Sequence, residues 1–242
     1  MAAYRTAYRL FTGSHLPPLY IGIEHMRMNN LTLAQHFIEQ SSKICDTDPL
    51  VFNEMGMIQY QLKNYDQARE YFELALQHLP RKDSELVSSC LETNSQEYTS
   101  HFIETDFSSV NAQLAEPIMF NLGNTYRKLK QYPKALAYYK KCLGVQPKNA
   151  SIYSAIGLTY HLQQYAGGNN LHTAIEYYHK ALAIQSDHSF TATMLSKALV
   201  QISNQSMEYL LQQADETMSE SDNNKSSVMD ENSRLNKALH WT

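Results

Sequence analysis

The fold is decided by residues 49–82, PLVFNEMGMIQYQLKNYDQAREYFELALQHLPRK, and by residues 116–149, EPIMFNLGNTYRKLKQYPKALAYYKKCLGVQPKN, which repeat the same pattern. Gly56 of the first stretch lies 34 residues after Gly22. Gly123 occupies the same position in the second stretch as Gly56 does in the first. A repeat of this length indicates one supersecondary unit that is stacked several times along the chain.

The pattern within each stretch predicts two helices that pack closely. The glycine lies inside the first helix, where it costs about 1 kcal/mol against alanine but removes a Cβ at a crowded contact. Small residues of the second helix, Ala68 and Ala135, face that glycine, and the rings of Phe72 and Tyr139 fill the space toward the next unit. A proline then ends each second helix.

Glycine, alanine, aromatic and proline residues at these positions resemble the tetratricopeptide repeat. We therefore predict an all-α fold, a right-handed tetratricopeptide-repeat solenoid of antiparallel helix pairs with a capping helix. The predicted divisions are residues 1–14 as the second helix of a truncated preceding repeat, 15–82 as units one and two, 83–115 as an acidic insertion, 116–188 as units three and four, 189–203 as the capping helix and 204–242 as a disordered acidic tail.

Two of these segments are acidic. Residues 83–115 contain six Asp or Glu residues and no Lys or Arg, and residues 204–242 contain seven acids and three bases. A solvated loop is the plainest interpretation of the insertion, and a docking element for a basic partner is the alternative. The tail is too polar to offset the entropy of ordering it.

Composition excludes several classes of function. The net charge of −4 and the pI of about 6.2 give no reason to expect nucleic-acid binding. No apolar run is long enough for a membrane span, so no membrane association is expected. The three cysteines are far apart and lack CxxC spacing, which predicts neither disulfides nor a zinc site.

Catalytic motifs are also missing from the sequence. It contains no HExxH, GxSxG, GxxxxGK[ST] or GxGxxG pattern. Glu176 and His179 lie one helical turn apart, but a di-iron bundle would need a second such pair. We predict no enzyme activity, no catalytic residues, no metal and no cofactor, and an enzyme with a repeat shell is the weakest hypothesis.

The first helices of such an array form a concave face that commonly holds an extended peptide. The predicted peptide-binding groove contains Leu19, Ile23, Met26, Asn53, Met57, Tyr60, Phe120, Asn124, Arg127, Ser154, Leu158 and His161. Asn53 and Asn124 can bond a peptide main chain, and the apolar residues can contact its side chains. A groove lining without a ligand is the alternative.

Several runs outside the repeat consensus resemble one family. They are AYRLFTGSHLPPLYIGIEH at 7–25, NLGNTYRKLKQYPKAL at 121–136, NASIYSAIGLTYHL at 149–162 and TATMLSKAL at 191–199. They are similar to the repeat-array scaffold subunit of the anaphase-promoting complex (cyclosome), of the cell-division-cycle sixteen type. The resemblance extends over residues 4–203, apart from the acidic insertion, and corresponds to the C-terminal portion of that subunit.

This resemblance implies a non-catalytic role in a multisubunit ubiquitin ligase that controls mitosis, in the nucleus and cytoplasm. It implies that the groove holds the extended N-terminal segment of a small accessory subunit, and that other subunits of the complex are partners. Asn53, Tyr60, Asn124 and Arg127 are the first candidates for contacts. The family forms homodimers through N-terminal repeats that this chain lacks, so no homodimer is expected.

A generic peptide-binding adaptor, such as a co-chaperone, is the alternative function. A clamp for an acidic C-terminal carboxylate would require Lys and Asn near the start of the array, where this chain has Leu19 and Ile23. The resemblance therefore favours the scaffold over the co-chaperone.

Overall fold

The computed structural model describes residues 1–79, 109–164 and 170–213, and for residues 109–111 the backbone alone. All regular structure within these ranges is α-helical. The helices of the described residues are α1 (Ala2–Leu10), α2 (Leu16–Arg27), α3 (Leu31–Ile44), α4 (Pro49–Gln61), α5 (Tyr65–Gln77), α6 (Ser109–Lys128), α7 (Tyr132–Val145), α8 (Ala150–Gln164), α9 (Leu171–Ile184) and α10 (189–213). Within the same ranges, no helix has both the length and the hydropathy that crossing a membrane requires.

The helices pack as successive pairs, α2 with α3, α4 with α5, α6 with α7 and α8 with α9. In each pair, a ring or an aliphatic side chain of the second helix lies against the glycine of the first. A Cβ added to Gly56 would lie 2.7 Å from the Phe72 ring, and one added to Gly123 would lie 2.7 Å from the Tyr139 ring. This packing confirms the predicted solenoid of antiparallel helix pairs.

The turns inside three of the pairs have the same backbone geometry. Asn29, Lys63 and Lys130 each follow a first helix with φ values of 56°, 66° and 60°. A left-handed residue commonly ends a helix because it reverses the chain while the last carbonyls stay bonded. At the start of α4, Pro49 needs no N–H partner, and the side chain of Asp48 accepts a backbone hydrogen bond of 2.8 Å.

The stack continues across the predicted acidic insertion. Helix α5 packs directly on α6, and Leu79 and Leu122 belong to one buried cluster. Tyr126 Oη donates a hydrogen bond of 2.7 Å to Glu73 Oε1, which joins the second unit to the third. The insertion therefore leaves the contact between its flanking units intact, although its residues 83–108 lie outside the described ranges.

The first helix of the third unit starts earlier than predicted. We expected this unit to begin at residue 116, after an insertion that ended at residue 115, but α6 begins at Ser109 and contains Pro117 in its interior. Residues 109–116 contain no glycine or proline that would stop a helix. Pro117 removes one backbone hydrogen bond without ending the helix.

The last described helix is longer than predicted. Residues 204–213, assigned from the sequence to a disordered tail, continue α10 to the edge of the described range. They include Met207, Leu210 and Leu211, which have high helix propensity, and no glycine or proline. Their side chains are exposed, so local propensity accounts for this extension better than packing does. The rest of the predicted tail, residues 214–242, lies outside the described residues.

Helix α6 carries a buried carboxyl group, and this has a testable effect on stability. Glu116 is 7% exposed, and Gln146 Nε2 donates to its Oε2 at 3.4 Å. Burial raises the pKa of Glu116, so the ionised form of this side chain destabilises the folded state. We expect Glu116→Gln to raise the free energy of unfolding by about 1 kcal/mol at neutral pH.

The gain should depend on pH in a defined direction. A carboxyl whose pKa is raised on folding recovers stability as the pH falls through that folded pKa, so the advantage of Glu116→Gln should shrink in acid. Urea unfolding at neutral and acidic pH measures this difference. Glu70→Gln, at an exposed site on α5, is the matched control and should change stability little. A Glu116→Gln variant that is less stable than the parent at neutral pH would contradict the argument.

Candidate peptide-binding groove

The first helices α2, α4, α6 and α8 lie side by side along the stack, since each contacts the next. In a stack of helix pairs such helices form the inner, concave face. The half-buried members of the predicted groove are Ile23, Met26, Met57, Tyr60, Phe120, Asn124, Arg127 and Leu158. These side chains are partly packed against the protein and partly exposed, so a ligand can reach them.

The other four predicted groove residues are buried, which corrects the prediction. Leu19 is fully buried, and Asn53 Oδ1 accepts a hydrogen bond of 3.1 Å from the Nδ2 of Asn121 in the next unit. Ser154 Oγ accepts a hydrogen bond of 2.8 Å from Thr191 on α10.

His161 is buried in the same way, with its ring nitrogens 3.3 Å from Tyr178 Oη and 3.0 Å from Gln201 Oε1. These four positions therefore join adjacent helices instead of lining an open surface.

A cluster of four polar side chains comes from α4, α6 and α7. This Arg127 cluster consists of Tyr60, Asn124, Arg127 and Tyr139. Tyr139 Oη donates a hydrogen bond of 2.8 Å to Asn124 Oδ1, and Arg127 donates to the same oxygen at 3.3 Å and to Tyr139 Oη at 3.4 Å. Asn124 thus uses its carbonyl oxygen within the cluster.

Burial determines the protonation of this cluster. It raises the pKa of Tyr139 to about 12, although the charge of Arg127 and its hydrogen bond oppose the shift. Burial also raises the pKa of Tyr60, again against the charge of Arg127. Both phenols therefore remain neutral donors at physiological pH, while Arg127 supplies a positive charge.

A second polar group, the amide ladder, crosses from α4 to α6. It consists of Glu54, Asn53 and Asn121. Asn53 Nδ2 donates a hydrogen bond of 2.9 Å to Glu54 Oε1, and Asn121 Nδ2 donates to Asn53 Oδ1. Burial raises the pKa of Glu54, while the bond from Asn53 and the charge of Arg27 act in the opposite direction.

Sequence reasoning did not select Glu54, Asn121 or Tyr139, which form hydrogen bonds with the predicted groove residues Asn53 and Asn124. A signal was present in each case. Tyr139 stands where the second unit has Phe72, and a hydroxyl added to a buried ring needs a partner. Glu54 and Asn121 are polar residues of first helices, like the predicted Asn53 and Asn124. The part of the chain that the structure describes contains no group of three His, Cys, Asp or Glu residues that could hold a metal ion.

The repeat pattern, the paired helices and the inner groove together define a tetratricopeptide-repeat protein. Sequence models of the tetratricopeptide repeat match residues 49–82 and 117–149, which are units two and three. Among tetratricopeptide-repeat proteins, the chain is most informatively compared with one group of relatives. The chain is homologous to anaphase-promoting complex subunit 6, also called cell division cycle protein 16 homolog, over most of its own length.

Three relatives show the extent of this similarity. Anaphase-promoting complex subunit 6 of Arabidopsis thaliana is 40% identical over 83% of this chain and 31% of its own length. The subunit of the same name from Dictyostelium discoideum is 37% identical over 82% of this chain and 27% of its own length. A crystal structure of the APC/C hetero-tetramer Cut9-Hcn1 matches with a TM-score of 0.65 at 28% identity, over 82% of this chain and 32% of the solved chain. The chain therefore spans about three-tenths of the length of these relatives.

Proposed function

We propose that this chain is a non-catalytic scaffold segment of an anaphase-promoting-complex assembly, and that its inner groove holds an extended segment of a small partner subunit. Homology with the subunit 6 proteins supports the scaffold role. The solved relative Cut9 occurs in a complex with Hcn1, which supports a small partner.

The Arg127 cluster is the observation that carries the groove proposal. An extended peptide presents N–H and C=O groups along its whole length, and these need hydrogen-bond partners. Asn124, Tyr60 and Arg127 offer donors from a half-buried surface, where a hydrogen bond is less weakened by water. Phe120, whose ring lies 5.7 Å from that of Tyr139, and the half-buried Leu158 of α8 offer apolar contacts to the side chains of the peptide.

Binding of purified Hcn1, measured by calorimetry, tests this proposal. We expect the chain to bind Hcn1 and Tyr60→Ala to weaken binding about tenfold, because a half-buried aromatic residue at the centre of a groove contributes strongly to affinity. Tyr209→Ala is the matched control, since Tyr209 is exposed on α10 away from the first helices.

The possible outcomes separate the candidate functions. Equal affinity of the Tyr60→Ala variant and the parent would contradict the groove assignment. Failure to bind Hcn1, together with binding of an acidic C-terminal chaperone peptide, would favour the co-chaperone function. The scaffold role is tested by mixing the chain with purified anaphase-promoting-complex subunits and asking whether they elute together in size-exclusion chromatography.

A further inference from the structure

The polar groups of the inner face differ in charge from one side to the other. On α4, the carboxylate of Glu54 receives a hydrogen bond from Asn53, and the nearby Arg27 is paired with Glu24 at 2.7 Å. On α6, the guanidinium of Arg127 contacts the neutral oxygens of Asn124 and Tyr139. Glu54 therefore marks a negative side of the groove and Arg127 a positive side.

Neither charge is neutralised by an ion pair within the described residues. The ion pairs found there are His15–Asp48, Arg27–Glu24 and Arg69–Glu70, and none includes Glu54 or Arg127. Both side chains are partly removed from water. A partly buried charge without an ion-pair partner raises the energy of the free protein, an effect that the charge of Arg27 only partly offsets at Glu54, and a ligand of opposite charge would lower it.

The amide ladder gives the separation of the two charges along the direction of the first helices. Asn121 contacts Asn53, which in turn contacts Glu54, so Asn121 marks the negative side on α6. Arg127 follows Asn121 by six residues on the same helix, a rise of about 9 Å. An extended peptide advances about 3.3 Å per residue, so about three residues bridge this distance.

We propose that the groove selects a partner segment with a basic side chain that faces Glu54 and an acidic side chain, about three residues away, that faces Arg127. The order of these charges fixes the direction in which the segment lies. This inference rests on the proposed function, because it specifies the chemistry of the segment that the groove holds. Asn53 and Asn121, already bonded to each other, keep the two charges apart.

Matched peptides test the charge order. The probes are acetylated Leu/Ala peptides that carry Arg and Asp three residues apart, in either order, and a neutral peptide with Gln and Asn at the same positions. We expect one order to bind about fivefold more tightly than the other and than the neutral peptide, as measured by fluorescence anisotropy. Added salt should reduce the difference.

Variants of the protein connect the preference to the two residues. Glu54→Gln and Arg127→Gln should each remove the preference, while Glu70→Gln and Lys128→Gln, which make the same charge changes at exposed positions, should preserve it. Equal affinity for all peptides, or a preference that survives in Glu54→Gln and Arg127→Gln, would overturn the inference. If Hcn1 binds but no peptide of this set does, the charge rule is wrong and the proposed function stands. If Hcn1 does not bind, the proposed function is wrong, and the charge rule that rests on it is wrong as well.

Discussion

Replacing Tyr139 with alanine will lower the free energy of unfolding by about 4 kcal/mol. The Tyr139 ring is fully buried and lies against Gly123, where a Cβ would be only 2.7 Å from it. It also packs on Phe120, with ring centroids 5.7 Å apart. Gly123, which faces the ring, has no side chain that could fill the cavity.

Tyr139→Phe separates packing from hydrogen bonding. This variant keeps the ring and removes the hydroxyl that donates to Asn124, so we expect a loss of about 1 kcal/mol. Urea unfolding followed by circular dichroism measures both variants. Equal losses for Tyr139→Ala and Tyr139→Phe would show that the ring does not support the helix pair as described.

Gly157→Val will produce the opposite defect, an overfilled contact, and will lower the free energy of unfolding by about 3 kcal/mol. A Cβ at Gly157 would lie 2.8 Å from the Tyr178 ring and 3.1 Å from the carbonyl oxygen of Ala174. The Tyr178 ring is fully buried and cannot swing away. The carbonyl belongs to the backbone of α9, so relief requires α8 and α9 to separate.

Gly144→Val is the matched control, because Gly144 also lies inside a helix but has no atom within 4 Å of an added Cβ. Valine is a better helix former than glycine, so this control should not lose stability. Thermal unfolding of both variants by circular dichroism measures the difference. Similar melting temperatures for the two variants would contradict the close packing of α8 on α9.

The fold was predictable because the decisive contacts lie within one repeat. Gly56 and Phe72, or Gly123 and Tyr139, are close in sequence and recur at a fixed interval, so a single chain reveals their pairing. The ends of the elements were less predictable. The third unit was predicted to begin at residue 116, yet α6 already begins at Ser109, and residues 109–116 contain no glycine or proline that would stop it.

The groove was predictable only in part, because its burial depends on contacts between repeats. Asn53 and Ser154 occupy inward positions of the pattern, but their partners, Asn121 and Thr191, come from other units. The pattern within one unit does not indicate which side chain of a neighbour will cover a given position. Tyr60, Asn124 and Arg127 remain half-buried, and their part in binding stays a prediction.

The direct packing of α5 on α6 has a consequence for how this sequence can change over time. Because the two flanking units pack directly on each other, the contact between α5 and α6 does not depend on the number of residues that connect them. Closing a flexible connection costs only about 0.6 kcal/mol more for each doubling of its length. Additions and deletions at this junction should therefore be nearly neutral for folding, and a lineage could acquire a new recognition element there without redesigning its solenoid.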